Sequence, residues 1–174
     1  LLVKYLRKKY QDNRKVFINE DDILNVNLSK FKNLIIISNL PYNISTKIIL
    51  YLFNYNKNIY ELIIMIQKEV ALKFDYNLPK MNKYKFLTYI VSIYSRLFDV
   101  SSKVFVPKPK VKSTVVKFTF NKKDFDREKA IKFSNLIFKN IRKKIKNNIN
   151  IKNSNQLLEK RVNQLTIDEL FNIY

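Results

Sequence analysis

Asn39-Leu40-Pro41-Tyr42 is the stretch of this sequence best equipped for chemistry. It combines a side-chain amide, a turn whose carbonyls need not pair with a neighbouring strand, and a flat ring. Those groups suit a planar base that bears an exocyclic amine. The amide oxygen and a backbone carbonyl can accept its two N–H bonds, and the ring can stack on its face. The bland alternative is an ordinary strand–turn–helix, with Pro41 forming the turn and Tyr42 packing.

The residue types that are missing narrow the chemistry. The 174 residues contain no His and no Cys. That removes disulfides, thiolate metal sites, the commonest metal ligand and the commonest general base. Neither a catalytic triad nor a zinc hydrolase is expected, and no metal is assigned. There is also no Gly, where about 7% is usual, so no glycine-rich phosphate loop exists in this sequence. Positions with positive φ then fall mainly to Asn or Asp.

The formal net charge is +20, from 34 Lys+Arg against 14 Asp+Glu. Such a chain should bind polyanions. Only six of its basic residues are Arg, and Ile, Asn, Tyr and Phe are abundant. This composition resembles the output of an AT-biased genome, which accounts for part of the basicity. No apolar run is long enough to span a membrane. The start, Leu1-Leu2-Val3-Lys4, turns charged at once, which argues against a secretory signal. The absent glycine loop and the non-Met start suggest a fragment lacking its N-terminal part, or a processed chain.

The elements that must position the turn read as an alternation. Leu1 to Arg14 is the basic end of a helix. Lys15 to Asn19 is a short strand, ending at the acidic cluster Glu20-Asp21-Asp22. Carboxylates at a strand end can meet a ligand in the sheet crevice, or simply form a solvated turn. Phe31 to Ser38 is the strand before the turn, and Ser45 caps a helix running to about Phe53. Leu62 to Ile66 is a second buried strand, leading into a helix over Val70 to Phe74. Such alternation predicts a parallel, doubly wound α/β sheet. Tyr84 to Arg96 reads as a helix and Phe98 to Val104 as a strand. Phe105 to Val111 is a stiff, basic connector with Pro107 and Pro109. Thr114 to Phe120 is a strand antiparallel to its predecessor, because the connector is too short for a helical crossover. After a break at 121–124, Phe133, Ile137, Ile141, Ile145 and Ile149 form a helical stripe. Lys139, Arg142, Lys143 and Lys146 share another face, suited to phosphates or simply to solvent. An Asn-rich linker follows from Asn147 to Asn155. Thr166-Ile167-Asp168-Glu169 fits a capping box for the last helix.

Several of these segments, in order, resemble one family. Asn39 to Thr46 is similar to motif IV of the rRNA adenine dimethyltransferases that modify small-subunit ribosomal RNA. Met65-Ile66-Gln67-Lys68-Glu69-Val70 looks like that family's strand-to-helix motif. Phe105 to Val116 resembles its Pro-rich loop and final hairpin, Ile141 to Asn147 its basic C-terminal helix, and Arg161 with Leu165-Thr166 its closing segment. The resemblance covers nearly the whole chain. It departs at Lys108 and Lys112, where the family usually has Pro and Asp, and near Lys85, where it usually has Gly.

The resemblance implies an α/β fold: a Rossmann-like methyltransferase sheet, here without its first strands, and a small C-terminal helical domain. The division would be 1–120 for methyl transfer and 121–174 for rRNA binding. It implies S-adenosylmethionine as cofactor and dimethylation of N6 of two adjacent adenosines near the 3′ end of small-subunit rRNA. Asn39, Leu40, Pro41 and Tyr42 would hold the target adenine. Asp22, with Asn39, would contact the cofactor. Lys108, Lys110, Lys112, Lys139, Arg142, Lys143 and Lys146 would grip rRNA. The partner would be the small ribosomal subunit or its precursor, and the protein a cytoplasmic monomer away from membranes. Three other readings stay open: the related enzyme that methylates large-subunit rRNA, a DNA adenine methyltransferase, and a non-catalytic assembly factor or transcription-factor paralogue.

Overall fold

A computed structural model describes residues 1–107, 109–120, 126–149 and 156–174. Its centre is a four-stranded sheet in the order β1-β2-β4-β3. The strands are β1 (Leu34–Asn39), β2 (Ile59–Gln67), β3 (Ser92–Val100) and β4 (Ser113–Phe120). β1 and β2 are parallel, joined through α2 (Ser45–Leu52). β4 runs antiparallel to both β2 and β3, as the short connector requires.

Side-chain alternation decides which face is covered. Leu62, Ile64 and Ile66 of β2 and Val116, Phe118 and Phe120 of β4 are buried. They belong to the same core as Ile48, Ile49 and Leu52 of α2 and residues of α3 (Lys68–Phe74) and α4 (Lys83–Val91). Phe53, Phe74, Phe118 and Phe120 meet edge-on around it. Each such fully buried side chain stabilises the fold by about 1.5–3 kcal/mol. The opposite parity is open: Ile35 is 58% exposed and Ile37 76%. Among the described residues the sheet is therefore covered by helices on one face. That corrects the doubly wound expectation. Both crossovers between strands of like direction, β1 to β2 through α2 and β2 to β3 through α3 and α4, pass over that one face, and β4 alone runs against the other strands.

Four further expectations change. Residues 15–19 form no strand, since they have no ladder partner; Phe17 is 81% exposed. The helix expected to reach Arg96 stops at Val91, and β3 starts at once with Ser92. Residues 92–100 satisfy either pattern locally, and the ladder offered by β4 decides between them. Ser45 is the first helical residue rather than the cap. Lastly, α5 (Arg127–Lys139) ends ten residues before Ile149, in whose place the long stripe was expected to finish. The Asn148 amide donates to the Asn140 carbonyl at 3.1 Å, occupying an acceptor at the helix end. The chain then turns, and the Ile145 N–H donates to the Lys160 carbonyl at 3.0 Å. Ile145 and Ile149 are buried all the same, but Ile141 is 48% exposed.

The last helix, α6 (Ile167–Ile173), begins with the predicted capping box between Thr166 and Glu169. It and α5 pack on α4, where Phe86 meets both Phe133 and Tyr174. The first helix, α1 (Leu2–Lys9), buries no residue. Positive φ occurs at Asn33 (55°), as glycine-free sequence demands, and at Lys80 (63°). The break at 121–124 and most of the Asn-rich linker lie outside the described residues.

Candidate active site

The sheet gathers one end of every strand. Asn39, the last residue of β1, lies opposite Met65 of β2. Gln67, the last residue of β2, lies opposite Ser113, the first of β4, which in turn pairs with Val100, the last of β3. The loops after β1 and before β4 must therefore meet at this edge.

They border an open cleft of about 540 Å³, lined by Asn39, Leu40, Pro41, Tyr42 and, from the facing loop, Phe105 and Pro107 among others. All four residues of the expected turn thus share one wall. Leu40 anchors it: its side chain is 5% exposed, and its N–H donates to the Met65 carbonyl at 3.1 Å. With Leu40 held inward, the neighbouring Asn39 stays exposed. Pro41 contributes no N–H, and its carbonyl accepts from the Ile44 N–H at 3.3 Å, closing the turn into α2. The Tyr42 carbonyl accepts the Ser45 hydroxyl at 3.2 Å, and the Tyr42 hydroxyl bonds the Ser113 hydroxyl at 2.7 Å.

The wall opposite was not foreseen. Phe105 had been read only as part of a basic connector, yet it is half-buried and lines the cavity. An aromatic residue ahead of two prolines was the available signal. A rigid loop can hold a ring toward a site, whereas periodicity says nothing about loops.

Asp22 lies elsewhere. It is exposed in a turn, where its carboxylate accepts the Leu24 N–H at 3.0 Å. The neighbouring Glu20 and Asp21 line a separate cavity of about 550 Å³ with Asn19, Asn25 and Asn27. This set of carboxylates and amides is rich in acceptors and fits the exocyclic amine of an adenine.

The basic residues divide into three groups. Lys110 and Lys112 are exposed beside a cleft of about 300 Å³ that Lys68 also lines. Lys68 is tied to Asp99 by a very short ion pair, which holds the Asp99 carboxyl below its usual range. Lys139 sits at the end of α5, with Arg142 and Lys143 exposed in the turns beyond it. Lys146 is paired with Glu159 at 2.7 Å, and Lys144 reaches the same carboxylate at 3.0 Å. These cations do not share one helix face, because the helix ends at Lys139. Lys108 lies outside the described residues.

Comparison with known proteins agrees with this geometry. The family model described as ribosomal RNA adenine dimethylase matches residues 1–173. Ribosomal RNA small subunit methyltransferase A of Mycoplasma capricolum subsp. capricolum is 33% identical over 99% of this chain, which spans 74% of that protein. The protein of the same name from Malacoplasma penetrans is 37% identical over 95% of the chain, which spans 62% of it. Two solved structures share the fold. The 23S rRNA methyltransferase ErmE superposes with a TM-score of 0.73 at 17% identity, covering 98% of this chain and 77% of that one. A dimethyladenosine transferase from Plasmodium falciparum gives 0.74 at 15%, covering 99% and 76%. The α/β sheet is thus that of the Rossmann-like rRNA methyltransferases. With the family model running from end to end and the Asn-Leu-Pro-Tyr turn in its cavity, the chain belongs to the ribosomal RNA adenine dimethylase family.

Proposed function

We propose that this chain methylates N6 of two adjacent adenosines near the 3′ end of small-subunit rRNA, as a cytoplasmic monomer acting during ribosome biogenesis. One observation carries the reading: Asn39, Leu40, Pro41, Tyr42 and Phe105 line a single cavity at the strand ends. The names of the relatives above, all methyltransferases, weigh against a non-catalytic assembly factor.

S-adenosylmethionine, when bound, would supply an electrophilic methyl group. Asp22 would accept an N–H of its adenine, and Asn39 would border both cofactor and target base. The remaining work falls to the cavity walls. The N6 lone pair of adenine is delocalised into the ring and is a poor nucleophile. The Asn39 side-chain oxygen and the Leu40 carbonyl would accept its two N–H bonds and favour a more tetrahedral nitrogen. Tyr42 would fix the plane of the base by stacking, with Phe105 on the facing loop closing the slot. Proximity and orientation would then supply much of the barrier reduction. No covalent intermediate on the protein is needed. Lys108, Lys110 and Lys112 of the connector, and Lys139, Arg142, Lys143 and Lys146 in the C-terminal part (121–174), would hold rRNA phosphates.

The test is Asn39→Ala, assayed with labelled S-adenosylmethionine and unmodified small ribosomal subunits. Methyl transfer should fall by at least about 100-fold, the scale of losing one aligned hydrogen bond at a reacting centre. Subunit affinity should stay within about twofold, because phosphate contacts dominate it. Retained transfer would sink the role given to Asn39.

A further inference from the structure

Tyr42 is held at both ends. Its carbonyl accepts the Ser45 hydroxyl, and its phenol bonds the Ser113 hydroxyl at 2.7 Å, across 71 residues of sequence. Ser113 is fully buried, does not line the cavity, and belongs to a strand start that is itself fixed. It pairs with Gln67 on one side and Val100 on the other. The residue before it accepts the Lys68 N–H at 2.9 Å, and the Thr114 hydroxyl donates to the Phe98 carbonyl at 3.0 Å. Tyr42, by contrast, sits in a turn and is half-buried. The rigid partner is therefore the serine.

From this arrangement we infer that Ser113 is a positioning residue: it fixes the place of the Tyr42 ring on which the target base lies. The inference rests on the function proposed above. A phenyl ring hinged at Cβ can rock within its cavity. A hydrogen bond at the far end of the ring, para to that hinge, fixes the ring's long axis and stops it swinging away from the base. The same bond holds the Tyr42 hydroxyl at a serine that does not line the cleft, so Tyr42 acts through its face. The Ser113 hydroxyl also couples the turn after β1 to the loop that carries Phe105, because that loop runs into β4 at Ser113.

The experiment is a double-mutant cycle on methyl transfer to unmodified small subunits, with Ser113→Ala, Tyr42→Phe and both together. Each single change should lower kcat about 5-fold, as expected for one hydrogen bond. KM for the subunit should move by less than about twofold, since no phosphate contact is touched. The double variant should be no slower than the slower single one. Losses that multiply, or wild-type kcat in either single variant, would overturn the tether. Should Ser113→Ala fail to fold, Tyr42→Phe alone still decides, because it removes the same bond and keeps the serine. The chemical shift of the Tyr42 Cζ, followed by NMR with labelled tyrosine in the protein without RNA, gives a readout apart from activity. It should move toward that of a solvated tyrosine in Ser113→Ala; an unchanged shift refutes the tether. A wild-type protein that transfers no methyl groups would instead remove the functional proposal, while the Tyr42 Cζ shift would still judge the hydrogen bond.

Discussion

At the scale of single residues, charge here is often engaged rather than free. Glu159 takes both Lys144 and Lys146, and these contacts, Lys146 first, hold its carboxyl below the usual range. A carboxylate whose folded pKa is depressed adds stability above its unfolded pKa and loses it as pH falls through the folded value. The clamp is thus intact at neutral pH, and its exposed carboxylate competes with rRNA phosphates for two cations. Glu159→Gln should tighten rRNA binding and steepen its salt dependence by about one unit of slope, read by titration at several salt concentrations. An unchanged slope would mean that Lys144 and Lys146 face away from the RNA. Lys85 shows the same principle in the interior. It stands near a position where glycine was expected, and it is only 3% exposed. Its ammonium donates to the Leu78 and Pro79 carbonyls, each at 2.7 Å, so it ties down the loop after α3. Burial pushes its pKa down, partly offset by Asp75.

At the scale of elements, the C-terminal helices are joined to the sheet layer through α4. Beyond the ring contacts of Phe86, the Tyr89 hydroxyl of α4 donates to Asp168 at the start of α6 in a very short bond. That bond, chiefly, raises the Tyr89 pKa to about 12. A raised folded pKa means that this contribution is complete below the unfolded value of about 10 and vanishes as pH rises through about 12. Tyr89→Phe should therefore lower thermal stability at pH 7 and leave it unchanged relative to wild type above pH 12. Melting curves across that window check the sign. Where elements begin and stop was legible wherever a local interaction decided it. The box at Thr166 and Glu169 is such a case, and so is the antiparallel return forced by a short connector. It was not legible at Val91, where helix gives way to strand without a breaker, nor at Lys139, where a side chain nine residues further on occupies an acceptor at the helix end.

For the whole molecule, the net charge of +20 has two readings, biased composition or a grip on RNA. Salt separates them. Each phosphate neutralised adds about −0.7 to −0.9 to the slope of log affinity against log salt. Binding to small ribosomal subunits should show a slope of at least about −4. A slope flatter than about −2 would assign most of the lysines to composition alone. No helix among the described residues is long and apolar enough to cross a membrane.

What the sequence by itself determined is the local chemistry. Asn39 to Tyr42 form a polar–proline–aromatic turn after a buried strand, there is no His or Cys to suggest another mechanism, and the order of motifs points to one family. These are properties of neighbouring residues, and neighbours can be read along a line. Tertiary structure alone decided that Phe105 faces the turn across a cavity and that Ser113 holds the Tyr42 hydroxyl. It also decided that the basic residues after α5 lie in turns rather than along one helix. Each of those facts depends on β4 pairing with β2 and on Ile145 finding Lys160. Contacts over such separations are selected by the packing of the whole sheet and core, and no periodicity in the sequence records them.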